Sequence, residues 1–351
     1  MIREEEIQKL NAVARAMVTP GKGILAADES FGTIEKRFTK INLPSTEENR
    51  RSYREMFFTT PGIGEHISGV IMFDETIRQK TVEGKQFVAV LNDAGVMPGI
   101  KVDLGTKEMD PPAGGPNEKV TKGLDGLPER LKEYVALGAK FTKWRAVITI
   151  LPAQAGGDGL PTDANIRKNA KDLAAYARAA QVAGLVPIVE PEVLMDGAHS
   201  LERCKEASEK TLTAVFEEFK DAGVALEGMI LKTNMVLPGK ESGAKASPKM
   251  IAEETISLFK KILPKNLPGQ AFLSGGQSEI EATENLNAIN ERGPFPWRLS
   301  FSYGRALQDS ALKTWNGKIE NVPAAQKVFL HRAKMNGLAT LGKYRSEMEN
   351  F

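Results

Sequence analysis

The chain contains 351 residues, with 47 lysines and arginines against 45 aspartates and glutamates, for a net charge of +2. This near balance, without a block of like charge, argues against a nucleic-acid-binding or membrane-surface protein. The single cysteine, Cys204, rules out an intramolecular disulfide and a thiolate metal site, and the scattered histidines His66, His199 and His331 disfavour a zinc centre. The N-terminus lacks the pattern of a secretory signal, and no run of about 18 apolar residues occurs. We therefore expect a soluble protein of the cytoplasm.

Short apolar or alternating runs recur along the chain, and each is followed by a longer amphipathic segment. The predicted strands are Gly23–Asp28, Gly69–Asp74, Gly99–Asp103, Phe141–Ile150, Val186–Glu190, Glu227–Lys232, Ala271–Ser274 and Arg298–Ser302. Eight strands that alternate with helices indicate parallel β-α-β units.

Helix-capping residues support the segments between the strands. Ser45 with Glu48 and Ser278 with Glu281 have capping-box spacing, and Ser200 opens a predicted helix that ends near Gly223. Thr162 or Asp163 would cap a further helix that runs through Ala180 and stops near Gly184. The Gly/Pro-rich run at 110–116 is interpreted as a surface loop.

These elements predict an α/β fold with a single (β/α)8 barrel over residues 1–351. The prediction includes an N-terminal helix over about 3–18 and a C-terminal helix and tail over about 322–351. The competing architecture is an open doubly wound sheet. No G-x-G-x-x-G motif follows the first strand, and no linker divides the chain, so the closed barrel is favoured.

Charged residues interrupt strands that should be apolar on both faces. Residues two apart on a strand share a face, so the pattern directs these charges into the barrel near the carboxyl ends of the strands. The cations are Lys101, Lys143, Arg145 and Lys232, and the anions are Asp28, Asp103, Glu190 and Glu192. A balanced cluster can be tolerated in the interior, and one reading is a purely structural ion network.

The other reading is catalytic. A lysine beside other cations is pushed toward its neutral amine, which can attack a carbonyl and form an imine that withdraws electrons from the adjacent carbon. Neighbouring carboxylates can remove and return protons. This combination suits the cleavage or formation of a carbon–carbon bond next to a ketone. Polarisation of the carbonyl by zinc is the alternative, which the small number of histidines disfavours.

Glycines follow the last two predicted strands. The runs are Ser274-Gly275-Gly276 and Ser302-Tyr303-Gly304-Arg305. Barrels often bind phosphate at this position through glycine amides and a nearby cation, although tight turns alone would also explain the glycines. A weaker second phosphate site is predicted across the barrel mouth, at Ser30, Thr33, Arg37 and Lys101, where helix capping would explain the hydroxyls equally well.

Eight motifs together resemble the class I fructose-1,6-bisphosphate aldolases. They are GILAADES (23–30), EENRR (47–51), GIKVD (99–103), KWR (143–145), VPIVEPE (186–192), LKTNMV (231–236), LSGGQSE (273–279) and SFSYGRALQ (300–308). The similarity runs from about Lys9 to Tyr344, in the order of the family. It implies a reversible cleavage of fructose 1,6-bisphosphate to dihydroxyacetone phosphate and glyceraldehyde 3-phosphate in glycolysis and gluconeogenesis. It also implies a homotetramer that needs no metal or other cofactor.

The resemblance implies a role for each matching residue. Lys232 would form the imine with C2 of the ketose, Glu190 would be the general acid and base for imine formation and hydrolysis, and Asp28 would take the proton of the C4 hydroxyl. Lys143 would position substrate and favour the neutral amine of Lys232. Ser274, Gly275, Gly304 and Arg305 would hold the C1 phosphate, with Arg37 close by, and Ser30, Thr33 and Lys101 would lie toward the C6 phosphate. Glu192 would support the charge network. Gly276, Ser302 and Arg145 are further expected substrate- or phosphate-binding residues.

Two departures from the family pattern leave details open. Animal and plant members usually have lysine where this chain has Leu104. They also extend well beyond the position of Tyr344 and end in a tyrosine that assists proton exchange on the enamine, whereas this chain ends in Phe351. We expect another group, or water, to serve that step. A preference for sedoheptulose 1,7-bisphosphate or fructose 1-phosphate, a non-catalytic sugar-phosphate-binding scaffold and a metal-dependent aldolase are the alternatives.

Overall fold

The computed structural model describes residues 2–110, 117–152 and 159–350. Its α-helices are α1 (Glu4–Met17), α2 (Phe31–Thr39), α3 (Glu47–Phe58), α4 (Ile63–His66), α5 (Asp74–Arg78), α6 (Phe87–Asp93), α7 (Leu127–Ala136), α8 (Asp163–Val182), α9 (Leu201–Ala222), α10 (Pro248–Ile262), α11 (Glu279–Asn290), α12 (Arg305–Trp315) and α13 (Val322–Ala339). Its strands are β1 (Gly23–Ala27), β2 (Ile67–Met72), β3 (Met97–Lys101), β4 (Thr106–Glu108), β5 (Lys119–Thr121), β6 (Phe141–Ile148), β7 (Val186–Val193), β8 (Ile230–Thr233), β9 (Gly269–Phe272) and β10 (Arg298–Tyr303).

Eight of these strands close into a parallel barrel, in the order β1-β10-β9-β8-β7-β6-β3-β2. The predicted (β/α)8 architecture is therefore confirmed, and the doubly wound alternative is wrong. The other two strands, β4 and β5, pair as an antiparallel hairpin between the third and fourth barrel strands. Most of the run at 110–116, interpreted from sequence as a surface loop, lies outside the described residues.

The two-residue period of the strands decides which side chains enter the barrel. In β1, Ile24 and Ala26 belong to the interior cluster, whereas Leu25 and Ala27 pack outward against the helices. The same alternation continues into Asp28, and it directs Lys143 of β6 and Lys232 of β8 inward. The charges thus follow from the alternation that the sequence shows.

The ring of Phe141 occupies the interior of the barrel among smaller apolar side chains. A Cβ placed on Gly99 of β3 would overlap the ring of Phe141, so this strand position requires a residue without a side chain. Helix α1 closes the N-terminal end, where Leu10 and Met17 pack against interior residues of the strands. Ser68 of β2 ties this helix to the barrel, since its hydroxyl donates to the carbonyl of Met17.

Most of the predicted helix caps are confirmed, and one is wrong. The Ser278–Glu281 capping box is present, and Ser200 and Thr162 cap α9 and α8. Ser45 does not cap α3; the helix begins one residue later than that cap requires, and the hydroxyl of Thr46 accepts the amide of Asn49 instead. Two adjacent hydroxyl residues have the same capping chemistry, and only the helix start distinguishes them.

The C-terminal segment is bound at the N-terminal end of the barrel. The amide of Gly21, which precedes β1, donates to the hydroxyl of Thr340 at 2.9 Å. Tyr344 is buried, and its hydroxyl donates to Glu349 at 2.9 Å, while Arg332 of α13 forms an ion pair with the same carboxylate. Tyr344 therefore lies at the opposite end from the carboxyl ends of the strands. Phe351 lies outside the described residues.

No helix in the described ranges combines the length and the apolar character that crossing a bilayer requires.

Candidate active site

A cavity of about 600 Å³ opens at the carboxyl ends of the barrel strands. Its lining brings together nearly every residue that the sequence singled out: Asp28, Ser30, Thr33, Arg37, Lys101, Asp103, Lys143, Arg145, Glu190, Glu192, Lys232, Ser274, Gly275, Ser302, Gly304 and Arg305. Gly276 lies in the same turn as Gly275. These residues come from widely separated segments, and they meet because the strands are parallel and end at the same rim.

A chain of four buried charges occupies the floor of the cavity. Nζ of Lys232 lies 3.1 Å from Oε1 of Glu190. The other oxygen of this carboxylate, Oε2, lies 3.2 Å from Nζ of Lys143, which in turn lies 2.8 Å from Oδ2 of Asp28. Glu190 thus contacts both lysines, and Lys143 contacts both carboxylates.

The electrostatics of this chain are governed by its ion pairs rather than by burial alone. Burial by itself would raise the pKa of Asp28, but the attraction of Lys143 and Lys232 outweighs it and lowers the pKa to about 2. For Lys143, burial would lower the pKa, and the attraction of Asp28, Glu190 and Asp103 raises it above the usual range instead. At neutral pH, Asp28 is a carboxylate and Lys143 is an ammonium.

Two further ion pairs flank this chain. Lys101 lies 2.7 Å from Oδ1 of Asp103, and Arg145 pairs with Glu192. Burial would raise the pKa of Glu192, but Arg145 outweighs that effect and lowers it. Every member of the predicted charge cluster is therefore in an ion pair, which is how the barrel tolerates eight charges.

On one side of the mouth, several polar groups have no partner within the described part of the chain. The hydroxyl of Ser302 is buried without a hydrogen bond, and Arg305 forms no ion pair with any described residue. The turn that follows β9 places Ser274 and Gly275 on the same wall. A phosphate site needs hydrogen-bond donors that are free to contact the ligand, and the hydroxyl of Ser302 and the guanidinium of Arg305 meet this requirement.

A buried network beneath this wall was not identified from sequence. Glu29, the residue after Asp28, lies 2.7 Å from Nη1 of Arg37 and 2.6 Å from Nη2 of Arg54. The side chain of Gln308 accepts from Arg37 at 2.7 Å and donates to the carbonyl of Ala26. These contacts anchor the end of β1 and hold Arg37 against Gly304. Arg54 lies at a buried position of α3 between aromatic residues, and a charge at such a position is the signal that could have revealed the network.

The other side of the mouth combines hydroxyls, one cation and apolar side chains. The hydroxyls of Ser30 and Thr33 lie 3.1 Å from each other, and neither Ser30 nor another side chain caps α2. Nζ of Lys101 lies 5.9 Å from the ring centroid of Phe73. Leu104 is 58% exposed at this rim. Among the described residues on this side of the mouth, Lys101 carries a positive charge and is paired with Asp103.

Metal-binding geometry is absent from the described ranges, where no three His, Cys, Asp or Glu side chains are grouped so as to hold an ion.

Comparison with known proteins identifies the family of the chain. The family model for class-I fructose-bisphosphate aldolases matches residues 9–351. The chain belongs to this family. It is 54% identical over 342 residues to "Fructose-bisphosphate aldolase 4, cytosolic" of Arabidopsis thaliana, covering 97% of this chain and 85% of the relative. It is 53% identical to the cytoplasmic isozyme of Spinacia oleracea, over 98% of this chain and 94% of the relative.

A solved structure agrees with this assignment. The chain superposes with a TM-score of 0.94 and 48% identity on fructose-bisphosphate aldolase from Plasmodium falciparum, crystallised in complex with TRAP and a small-molecule inhibitor. The match covers 98% of this chain and 97% of that chain. The resemblance inferred from the eight motifs is confirmed. The expected roles of individual residues in this aldolase remain predictions, and the geometry above provides the basis for proposing them.

Proposed function

We propose that this chain catalyses the reversible cleavage of fructose 1,6-bisphosphate through an imine on Lys232. The observation that carries the proposal is the chain of contacts from Lys232 through Glu190 and Lys143 to Asp28, on the floor of a phosphate-ready cavity. This arrangement supplies a nucleophile, an acid–base group and a carboxylate base within one site.

Imine formation begins with the neutral amine of Lys232, whose nitrogen attacks C2 of the ketose. Glu190, 3.1 Å away, accepts the proton that the amine loses and later donates a proton to the departing C2 hydroxyl, which leaves as water. The ammonium of Lys143 contacts the other oxygen of the same carboxylate at 3.2 Å and orients Glu190 for this exchange. The protonated imine that results withdraws electrons from C3.

Carbon–carbon cleavage then requires a base near the C4 hydroxyl. Asp28 is ionised at neutral pH because its pKa is lowered to about 2, so it can accept that proton. As the hydroxyl becomes an aldehyde, the C3–C4 bond breaks and its electrons move toward the imine nitrogen, forming an enamine. Protonation of the enamine and hydrolysis release dihydroxyacetone phosphate and restore Lys232. Tyr344 lies at the opposite end of the barrel, so we assign the protonation to another group or to water.

The two phosphates would occupy opposite sides of the mouth. The C1 phosphate is assigned to the wall with unused donors, formed by Ser274, Gly275, Gly276, Ser302, Gly304 and Arg305, with Arg37 held close by Glu29. The C6 phosphate is assigned to Ser30, Thr33 and Lys101. Arg145 and Glu192, paired with each other, support the charge network between them.

We further propose a cytoplasmic location and a homotetrameric assembly. The first rests on relatives that are named cytosolic or cytoplasmic, and the second on the family resemblance. Light scattering coupled to size-exclusion chromatography would give the mass of the assembly, and a mass below that of four chains would overturn the tetramer.

Borohydride reduction provides the test of the mechanism. The protein is treated with borohydride in the presence of dihydroxyacetone phosphate and a chelator, and the modified peptide is then mapped by mass spectrometry. We expect a stable secondary amine on Lys232 in the native chain and none in Lys232→Met, whose side chain fills a similar volume. A well-folded native protein without the adduct, or an adduct on another lysine, would overturn the proposal.

A further inference from the structure

A cation that the sequence analysis did not select lies against the phosphate wall of the site. Lys240 follows β8, eight positions after Lys232, and its side chain extends across the loop to the turn after β9. A Cβ placed on Gly276 would overlap the ammonium of Lys240 and would lie 3.8 Å from Nη2 of Arg305. The two cationic groups therefore converge over one glycine.

Gly276 makes this approach possible. Its backbone has a φ of +99°, a conformation that L side chains rarely adopt, and the absence of a side chain leaves the space that the Lys240 ammonium occupies. The turn is thus shaped to admit a cation as well as to expose its amides.

The backbone of Lys240 is held firmly, although its ammonium is weakly paired. Its amide donates to the carbonyl of Met195 at 2.9 Å, and the flanking amides of Gly239 and Glu241 donate to His199 and Gly197. The ammonium has a single ion-pair partner among the described residues, Asp196, at 3.8 Å, and the side chain of that aspartate is 70% exposed. Such an exposed pair contributes little, so a better anion can replace Asp196.

We propose that Lys240 is a further ligand of the phosphate on the ketose C1 side, and that substrate binding moves its ammonium from Asp196 to that phosphate. The inference rests on the proposed function, since it deepens the assignment of the C1 phosphate to this wall. A phosphate over Gly276 would accept charge-assisted hydrogen bonds of about 2.8 Å from Lys240, whose present partner Asp196 is 3.8 Å away, and from Arg305, which has no ion-pair partner among the described residues.

The test compares carbonyl ligands that differ only in the phosphate. Borohydride trapping on Lys232 is titrated with dihydroxyacetone phosphate and with dihydroxyacetone, in the native chain, in Lys240→Met and in Lys240→Arg. We expect Lys240→Met to raise the half-saturating concentration of the phosphorylated ligand by about fivefold to tenfold, with no change for dihydroxyacetone. Lys240→Arg should restore most of the loss. Lys261→Met, on α10 beside Glu209, is the control and should change neither value.

Cleavage kinetics place the contact at one phosphate. Lys240→Met should raise the KM of fructose 1-phosphate and of fructose 1,6-bisphosphate by the same factor, with kcat within about twofold of the native value. An increase confined to the bisphosphate would assign Lys240 to the other phosphate and overturn the proposal. If the half-saturating concentration of dihydroxyacetone rose by the same factor, Lys240 would have only a structural role. If neither half-saturating concentration changed, Lys240 would not be a ligand of the phosphate. If the native chain traps no ligand on Lys232, the proposed function itself has failed.

Discussion

Replacing Lys143 by methionine tests the central ion cluster most directly. Its ammonium is buried between Asp28 at 2.8 Å and Glu190 at 3.2 Å, and its removal leaves two buried carboxylates without their shared cation. Removing one partner of a buried ion pair costs about 3–5 kcal/mol. The net shift of Asp28, which combines burial with the attraction of Lys143, Lys232 and Lys101, corresponds to about 2–3 kcal/mol, since the pKa of that carboxyl falls from 3.8 to about 2 and one pKa unit corresponds to about 1.4 kcal/mol.

The same perturbation has a predictable pH dependence. In the native chain the lowered pKa of Asp28 stabilises the fold above the ordinary value of 3.8, and this contribution disappears as the pH falls toward 2. In Lys143→Met the pKa of Asp28 rises, so this carboxylate becomes protonated at a higher pH than in the native chain. The difference in unfolding free energy between the native chain and Lys143→Met should therefore be smaller at pH 4.5 than at pH 7. Cleavage activity should fall as well, because Lys143 no longer orients Glu190 and Asp28.

Urea unfolding monitored by tryptophan fluorescence, at pH 7 and at pH 4.5, measures both effects. The matched control is Lys205→Met, which removes a partly exposed lysine paired with Glu254 at 2.7 Å and should cost about 0–1 kcal/mol. A loss for Lys143→Met no larger than for this control, or one that is the same at both pH values, would refute the reasoning.

Three further substitutions examine separate parts of the site. Glu190→Gln should slow turnover by about 10²–10⁴-fold in a cleavage assay, and activity within tenfold of native would remove Glu190 from acid–base catalysis. Arg305→Ala should raise the KM of fructose 1-phosphate by about tenfold or more while dihydroxyacetone trapping is unchanged; equal losses would move the phosphate elsewhere. Tyr344→Phe should leave proton exchange on the enamine, followed by tritium release, within twofold of native, because Tyr344 is buried beside Glu349 at the far end of the barrel. A much slower exchange would show that Tyr344 reaches the site.

The fold and the centre of the site were predictable because they depend on alternation. Lys143 and Lys232 share a parity with Phe141 and Ile230, so the pattern that buries the apolar residues also directs the lysines inward. The extent of β7 was less predictable. It continues to Val193, three residues past the predicted end, because the strand remains paired with β6 along its whole length.

The surrounding residues were not predictable, because their contacts join segments that are distant in sequence. The pairing of Glu29 with Arg54 depends on how α3 packs against the end of β1. The approach of Lys240 to Gly276 depends on the path of the loop after β8, which the two-residue alternation of the strands does not predict. Whether Ser45 or Thr46 caps α3 depends on the exact residue at which the helix begins, and the spacing of the sequence does not fix that start to within one residue.

The closure of the barrel base by α1 has a consequence for the order of events. Since Leu10 and Met17 fill that end, the described part of the barrel leaves the mouth at the carboxyl ends of the strands for the substrate and both products. In the proposed mechanism the ketone half is attached to Lys232, which is buried at the floor, and the aldehyde half would face the rim where Leu104 is exposed. The aldehyde therefore departs first, and in the synthetic direction it enters second. Steady-state kinetics should accordingly follow an ordered sequence, with dihydroxyacetone phosphate as the first ligand to bind and the last to leave.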